Sequence, residues 1–345
     1  MQNRTPAADA TAPAPPAGRA LDAARPIREQ LDTLGPSALE QIAKPFSLEA
    51  ASEYCRRLAT SHYENFTVAT WLLPAELRRH FCHLYAYCRW ADDLADELDD
   101  PEQSLRLLDW WERQLRSCGA FGASSDGGAR HPVFIALGET IREFDLPLQT
   151  LAALLDAFRQ DQSVTRYETW DELIAYCQRS ADPVGRLVLR LGRRASPELD
   201  RLSDCICTGL QLANFCQDVA RDYARGRIYL PRCEWAARGC DERDFAAATA
   251  GDNLRAAIEA CADRAEECLL AGRPLIAALD GRLRIAVDLF LRGGLDILRA
   301  VQRLRYDVLA RRPVVGRSRK IWLAVQAVAA AAFAGRTERK LGRPS

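Results

Sequence analysis

The chain has 345 residues, 48% hydrophobic and 27% charged, an ordinary globular balance that supplies one large core or two modest ones. Forty-seven basic residues cancel forty-seven acidic ones, which excludes the global positive field expected of a nucleic-acid binder and leaves electrostatic function to local clusters. Twelve scattered cysteines with no CxxC pair, and only four histidines, argue against zinc-type spacing and a disulfide framework; the cysteines read as reduced small hydrophobes of a cytoplasmic protein.

Residues 1–38 read as a tail, Ala/Pro-rich over about the first 24 and expected to be disordered, without the apolar h-region of a secretory signal. Residues 39–340 read as one all-α domain of packed antiparallel helices. "SLEAASEYCRRLATSH", from Ser47, carries a serine N-cap and helical periodicity. Pro74 precedes a long helix from Ala75 to about Leu98, and Pro101 opens the next at its N1 position. Gly119–Pro132 is a glycine-rich loop. Helices are expected over about 133–144, 148–162, 170–191 and 197–224. Gly226 and Pro231 interrupt the pattern, and helices then cover about 252–279, 282–311 and 317–337. No alternating run of strand length competes, no nucleotide-binding glycine fingerprint occurs, and no internal repeat is found. No apolar segment reaches the roughly 18–20 residues of a membrane span. The nearest, Ile321–Ala334, reads as a closing core helix; its basic flanks Arg319, Lys320 and Arg336 keep open a transient contact with a membrane surface.

Two helices carry acids at helical spacing. In "YAYCRWADDLADE" (Tyr85–Glu97), Asp92 and Asp96 are four apart and share a face, with Asp93 about 100° round. In "QLANFCQDVARDYARGRIYLP" (Gln211–Pro231), Asn214, Asp218 and Asp222 repeat that spacing. Such pairs repel by a few tenths of a kcal/mol and are usually solvated. Here both follow mostly apolar stretches, which places them at the border of a cavity, where carboxylates need cations. Oxygen ligands without histidine favour Mg²⁺ shared with substrate phosphates. A di-iron carboxylate bundle would need Glu-x-x-His pairs, and none of the four histidines sits three after a glutamate.

These two stretches, in this order, resemble the squalene/phytoene synthase family, the head-to-head trans-isoprenyl diphosphate synthases. The first matches its aspartate-rich motif after an aromatic-x-aromatic-x-Arg run, and the second ends in the matching Gly-Arg-x-Tyr-Leu-Pro. The resemblance extends from about Ser61 past Tyr306 and implies a single all-α isoprenoid-synthase bundle around a central cavity. "SHYENFTVATWLLP" (Ser61–Pro74) and "YCQRSADPVGRLVL" (Tyr176–Leu189) are most similar to the bacterial hydroxysqualene synthases of hopanoid pathways. That branch ionises presqualene diphosphate with Mg²⁺, rearranges the cation and ends with water, as a lyase releasing diphosphate. It implies coupling to a presqualene diphosphate synthase upstream and a flavin-dependent hydroxysqualene-reducing enzyme downstream.

The resemblance assigns roles by position. Asp92, Asp93, Asp96, Asn214, Asp218 and Asp222 would hold Mg²⁺, with Asp93 as a supporting member. Arg89, Arg221, Arg227 and Gln217 would handle diphosphate; Gln217 stands where the family usually has arginine, which weakens one phosphate contact. His62, Phe66, Tyr85, Tyr176 and Tyr306 would line the cavity, where aromatic faces stabilise a cation, although core packing is the plainer reading for Phe66 and Tyr85. Asn65, Glu64 and Asp182 are polar where ordinary members are small or apolar, so Asn65 and Asp182 are expected to orient the quenching water. Asp182, before Pro183, equally suits a cap or Asx-turn. Condensation of two allylic diphosphates to presqualene diphosphate, squalene or phytoene, by a prenyltransferase, is the rival within the family. A non-catalytic helical lipid-binding or scaffold protein is the rival outside it.

Overall fold

The computed structural model describes residues 23–42, 45–61, 75–119 and 129–314. Among them every regular element is helical, apart from one isolated parallel bridge between Arg166 and Ile228. In chain order they are α1 Ile27–Leu34, α2 Pro36–Gln41, α3 Leu48–Ser61, α4 Ala75–Asp96, α5 Pro101–Gly119, α6 Pro132–Phe144, α7 Leu148–Gln160 and α8 Trp170–Ser180. Then follow α9 Asp182–Leu191, α10 Pro197–Ala224, α11 Arg232–Ala236, a 3₁₀ turn Glu242–Ala246, α12 Asp252–Gly272, α13 Pro274–Ala278 and α14 Gly281–Arg303. The all-α expectation is met. His62, Glu64, Asn65 and Phe66, most of the Gly119–Pro132 loop, and the 317–337 helix lie outside the described residues.

Four boundaries differ from the sequence reading, each for a local reason; one is the helix expected over 282–311, which stops at Arg303 because Arg305 (φ 50°) and Tyr306 (φ 59°) turn left-handed. A packed helix lies within the stretch assigned to the tail: α1 buries Ile27 and Leu34, and Tyr54 of α3 donates its hydroxyl to Gln30. The apolar spacing from Ile27 to Leu34 was masked by the Ala/Pro-rich composition upstream of it. The expected 170–191 helix is two, broken at Ala181 (φ −121°, ψ −50°). Pro183 lacks the N–H that would continue the ladder, so it serves in the first turn of α9 instead. Pro274 divides the 252–279 helix into α12 and α13 in the same way.

The face of α4 opposite its acids is fixed by an aromatic stack. Trp90 and Trp111 lie nearly parallel with centroids 5.1 Å apart, and His131 meets them edge-on at 4.5 and 4.8 Å. Trp90 Nε1 donates to Tyr54 Oη at 2.8 Å, and His131 Nδ1 accepts from Val133 N to cap α6. Each of these buried aromatics contributes roughly 1.5–3 kcal/mol by leaving water. Helix α10 is held by α12, against which Gly209 permits close approach: a Cβ there would stand 2.9 Å from the Leu269 backbone nitrogen. These contacts set the acid-bearing ends of α4 and α10.

Candidate active site

The end of α10 is built by a glycine. Gly226 adopts φ 78°, and its N–H reaches Tyr223 O (2.9 Å) while Arg227 N reaches Asp222 O (2.9 Å). This pair of bonds satisfies carbonyls that the helix end would otherwise strand, and it turns the chain sharply. Ile228 N then donates to Thr165 O and Arg232 N to Tyr167 O, laying "GRIYLP" alongside residues 165–168. The turn aims Arg227 back across the bundle. Its Nη2 pairs with Asp96 Oδ1 at 3.0 Å and approaches Asp161 O at 3.4 Å; Arg225 Nη1 stands 3.4 Å from Asp96 Oδ2. The second motif therefore meets the first through arginine–aspartate pairs that span 129 and 131 positions of sequence.

The aspartates are distributed as pairs. Asp92 is half-buried, and its carboxyl is pushed up to about 6, by burial first and then by Asp96, with Arg89 opposing. Asp222 rises to about 7 from burial and from Asp218, with Arg225, Arg227 and Arg221 opposing. Asp218 sits at a kink in α10 (φ −108°, ψ 15°) and is gripped by Arg312 through both carboxylate oxygens, Nη2 to Oδ2 at 3.0 Å. Asn214 is exposed one turn earlier on the same helix, and Arg221 is also exposed. These aspartates do not converge into a three-donor cage among the described residues. Carboxylate pairs can serve a hard divalent ion that keeps waters and shares phosphate oxygens while using one or two carboxylates per ion. The donor set is entirely oxygen, and arginine cations already stand by three of the four aspartates, so the site accepts positive charge and a divalent ion fits its chemistry.

Other expected site residues are placed differently. Asp93 points into the protein, 4% exposed, and is held by Arg89 through Nε (3.0 Å) and Nη2; burial lifts it to about 7 against the pull of Arg89. It does not stand with the other aspartates. Arg89, expected toward phosphate, is committed mainly to Asp93, with Glu97 at 3.2 Å and Asp92 at 3.6 Å. Gln217 is buried and donates from Nε2 to Pro313 O at 2.6 Å, away from the diphosphate role given to it. Tyr306 bonds Glu259 of α12 and is raised to about 12, by burial first and then by that acid and its neighbours. Its backbone is left-handed, φ 59°. Tyr85 is part-buried on α4, packed against the core.

Tyr176, expected to line the cavity, is buried in a cluster of aromatic rings around Asp161. Its hydroxyl donates to Asp161 Oδ2 at 2.8 Å, Tyr229 Oη lies 3.4 Å from Asp161 Oδ1, and Phe215 stacks on Tyr229 with centroids 4.0 Å apart. Asp161 is pushed up to about 6 by burial, with Tyr176 and Arg227 opposing. Asp161, Arg225 and Arg312 were missed from sequence. Asp161 and Arg312 carry no motif, and Arg225 sat unremarked inside one. Asp182 is 3% exposed, accepts from Thr208 Oγ1 at 2.9 Å, and burial raises it to about 7. It therefore makes a bond between α9 and α10 rather than a free cap.

A separate cluster joins α3, α4 and α6: His80, His83 and Glu139 bring three donor atoms within 4.8 Å of one another. One proton arrangement satisfies its imidazoles. Arg79 Nε donates to His80 Nε2 (3.0 Å), and His80 Nδ1 donates to Thr140 Oγ1 (2.9 Å). Thr140 donates to His83 Nδ1 (2.8 Å), and His83 Nε2 donates to Ser52 Oγ (3.0 Å). Burial keeps both rings neutral, His83 at about 3. With every ring nitrogen committed, the group is an interhelical polar network.

A helical bundle in which the arginines that follow one aspartate-bearing helix pair with an aspartate of another, beside a tyrosine cluster, is the arrangement expected of the all-α isoprenyl diphosphate synthases. Residues 59–319 match the squalene/phytoene synthase family, and the chain belongs to it. It is 34% identical over 258 residues to the hydroxysqualene synthase of Rhodopseudomonas palustris, covering 74% of this chain and 85% of that one. It is 31% identical over 284 residues to the phytoene synthase of Arthrospira platensis, covering 79% and 90%. Among solved structures, squalene synthase HpnC from Alicyclobacillus acidocaldarius superposes with TM-score 0.70 at 41% identity, covering 76% of this chain and 97% of that chain. The protein is a head-to-head isoprenoid synthase of a family that acts on isoprenyl diphosphates and uses a divalent metal. Among the described residues, no helix is long and apolar enough to cross a membrane.

Proposed function

We propose that this enzyme is a hydroxysqualene synthase, converting presqualene diphosphate and water to hydroxysqualene, diphosphate and a proton. The observation that carries the reading is the Ser180–Gly185 stretch, which sets an ionisable Asp182 into the buried contact between α9 and α10. Relatives named hydroxysqualene synthase, at 34% and 33% identity, stand alongside phytoene synthases at 32% and 31%.

In this reading Asp92, Asp96, Asp218 and Asp222 hold Mg²⁺, with Asn214 beside them. When bound, the metal neutralises charge developing on the departing diphosphate. Arg225 and Arg227 then turn from Asp96 toward the diphosphate oxygens. The stacked Tyr229 and Phe215 and the neighbouring Tyr176 present ring faces to the carbocation without a nucleophile. Asp161 fixes the Tyr176 and Tyr229 hydroxyls, which holds those faces in place. Asn65 and Asp182 orient the water. Transient contact with a membrane surface suits delivery of a C30 product.

The test is product analysis with presqualene diphosphate, Mg²⁺ and ¹⁸O-labelled water, and in parallel with farnesyl diphosphate alone. Label in the product hydroxyl is expected. Consumption of farnesyl diphosphate without any use of presqualene diphosphate would replace the reading with condensation.

A further inference from the structure

Helix α14 ends at Arg303, and two left-handed residues, Arg305 (φ 50°) and Tyr306 (φ 59°), turn the chain out of it. The segment is then anchored. Asp307 accepts from Ala250 N (2.8 Å) and Arg255 Nη2 (3.0 Å), and Val308 is 1% exposed. Beyond that anchor it crosses α10 at the kink. Consecutive residues of the helix grip consecutive residues of the segment: Gln217 holds the Pro313 carbonyl and Asp218 holds the Arg312 guanidinium, 94 positions away.

The two grips have different chemistry. The Gln217 bond is neutral and buried, so it fixes where the segment lies. The Arg312 pair is ionic, with Arg312 half-exposed and both oxygens of Asp218 occupied. A guanidinium placed side-on across a carboxylate covers the lone pairs that a metal ion would use. The same carboxylate cannot serve both cations in full.

We propose that Arg312 is a positioning residue that occupies Asp218 before the metal does, and that metal loading displaces it and loosens the stretch beyond the Asp307 anchor, residues 309–314, leaving the Gln217 bond as its hold on α10. This rests on the reading of Asp218 as a metal ligand. Arg312 acts on the metal only through Asp218: it sets how tightly the ion binds and couples occupancy to the position of the segment. The kink at Asp218 lies where the segment crosses α10.

The experiment uses the full chain with Mg²⁺ and inorganic diphosphate. Mg²⁺ affinity is measured by calorimetry for the wild type, Arg312→Gln and Arg312→Lys, and amide hydrogen exchange is followed over 309–314. Arg312→Gln should bind Mg²⁺ about two- to fivefold more tightly, the value of a partly exposed ion pair removed from competition. Arg312→Lys, which keeps the charge, should fall close to the wild type. Exchange over 309–314 should quicken on loading in the wild type and be fast with or without the ion in Arg312→Gln. A merely structural arginine would not produce the tighter Mg²⁺ binding or the rescue by lysine. Unchanged Mg²⁺ affinity in Arg312→Gln, or wild-type binding without faster exchange, would overturn the clasp and leave the metal site standing. Wild-type binding that persists unaltered in Asp218→Asn would instead overturn Asp218 as a ligand, and the clasp with it.

Discussion

Asp182→Asn isolates the cost of one buried carboxylate. Asp182 is 3% exposed; burial lifts it from 3.8 to about 7, the Thr208 hydroxyl bond works against that rise, and Asp204 adds to it. The folded state therefore binds the proton more tightly than the unfolded chain, so stability is full below the unfolded value and falls as pH rises through about 7. Three pKa steps correspond to about 4 kcal/mol, nearly all of it lost by about pH 8 and about 1.5 kcal/mol of it by about pH 5. Asparagine keeps an oxygen for the Thr208 hydroxyl and removes the charge. Its stability advantage should therefore grow by about 3 kcal/mol from pH 5 to pH 8, or about 4 °C in melting temperature for a chain of this size. Paired thermal or urea denaturation of variant and wild type across that range measures it. An advantage that stays flat with pH would refute the assignment of the ionised group to Asp182. The same variant tests the water-positioning proposal separately, through its product.

Two further outcomes follow from the site. Asp92 at about 6 and Asp222 at about 7 hold protons that must leave before either can ligate, so apparent Mg²⁺ affinity should rise at least about tenfold from pH 5 to pH 8, with proton release seen in calorimetry; a flat profile would remove both from the ligand set. Gly226→Ala meets no neighbour within 4 Å, so its cost is backbone strain at φ 78°, roughly 1–2 kcal/mol in denaturant titration; Gly226→Asn should recover part of it, and equal losses for both would point away from the left-handed turn.

The helices were legible because their apolar spacing and proline positions are local signals. Pro101, for instance, opens α5 as its position predicts. Where the sequence reading erred, composition had overridden spacing, as at Ile27–Leu34, or periodicity had run across a proline, as at Pro183 and Pro274. The aspartate faces were legible for the same reason of spacing, because i and i+4 on one helix need no tertiary information. The partners of those aspartates were not. Arg227 reaches Asp96 because Gly226 turns left-handed, and Arg312 reaches Asp218 because α14 stops at Arg303. Arg89 looked free to face a phosphate only until Asp93 was seen to point inward. Asp161 gave no signal at all, being a lone acid whose importance comes from the two tyrosines the fold brings to it.

Those arginine partners bear on how the proposed chemistry is controlled. Asp96 is held by Arg225 and Arg227, and Asp218 by Arg312. A divalent ion entering such a site exchanges for cations already present. Exchange weakens binding of the ion alone, because ion pairs are broken as metal bonds form. It also leaves displaced guanidinium groups beside the new ion, a local excess of positive charge that a diphosphate relieves through bidentate contacts. Metal and diphosphate are thereby coupled, each tightening the other by an equal factor. The arrangement thus favours the metal–diphosphate pair over either alone, and it accounts for carboxylates spaced to repel one another on both helices: at least one of each pair carries an arginine until the substrate's leaving group arrives with another cation.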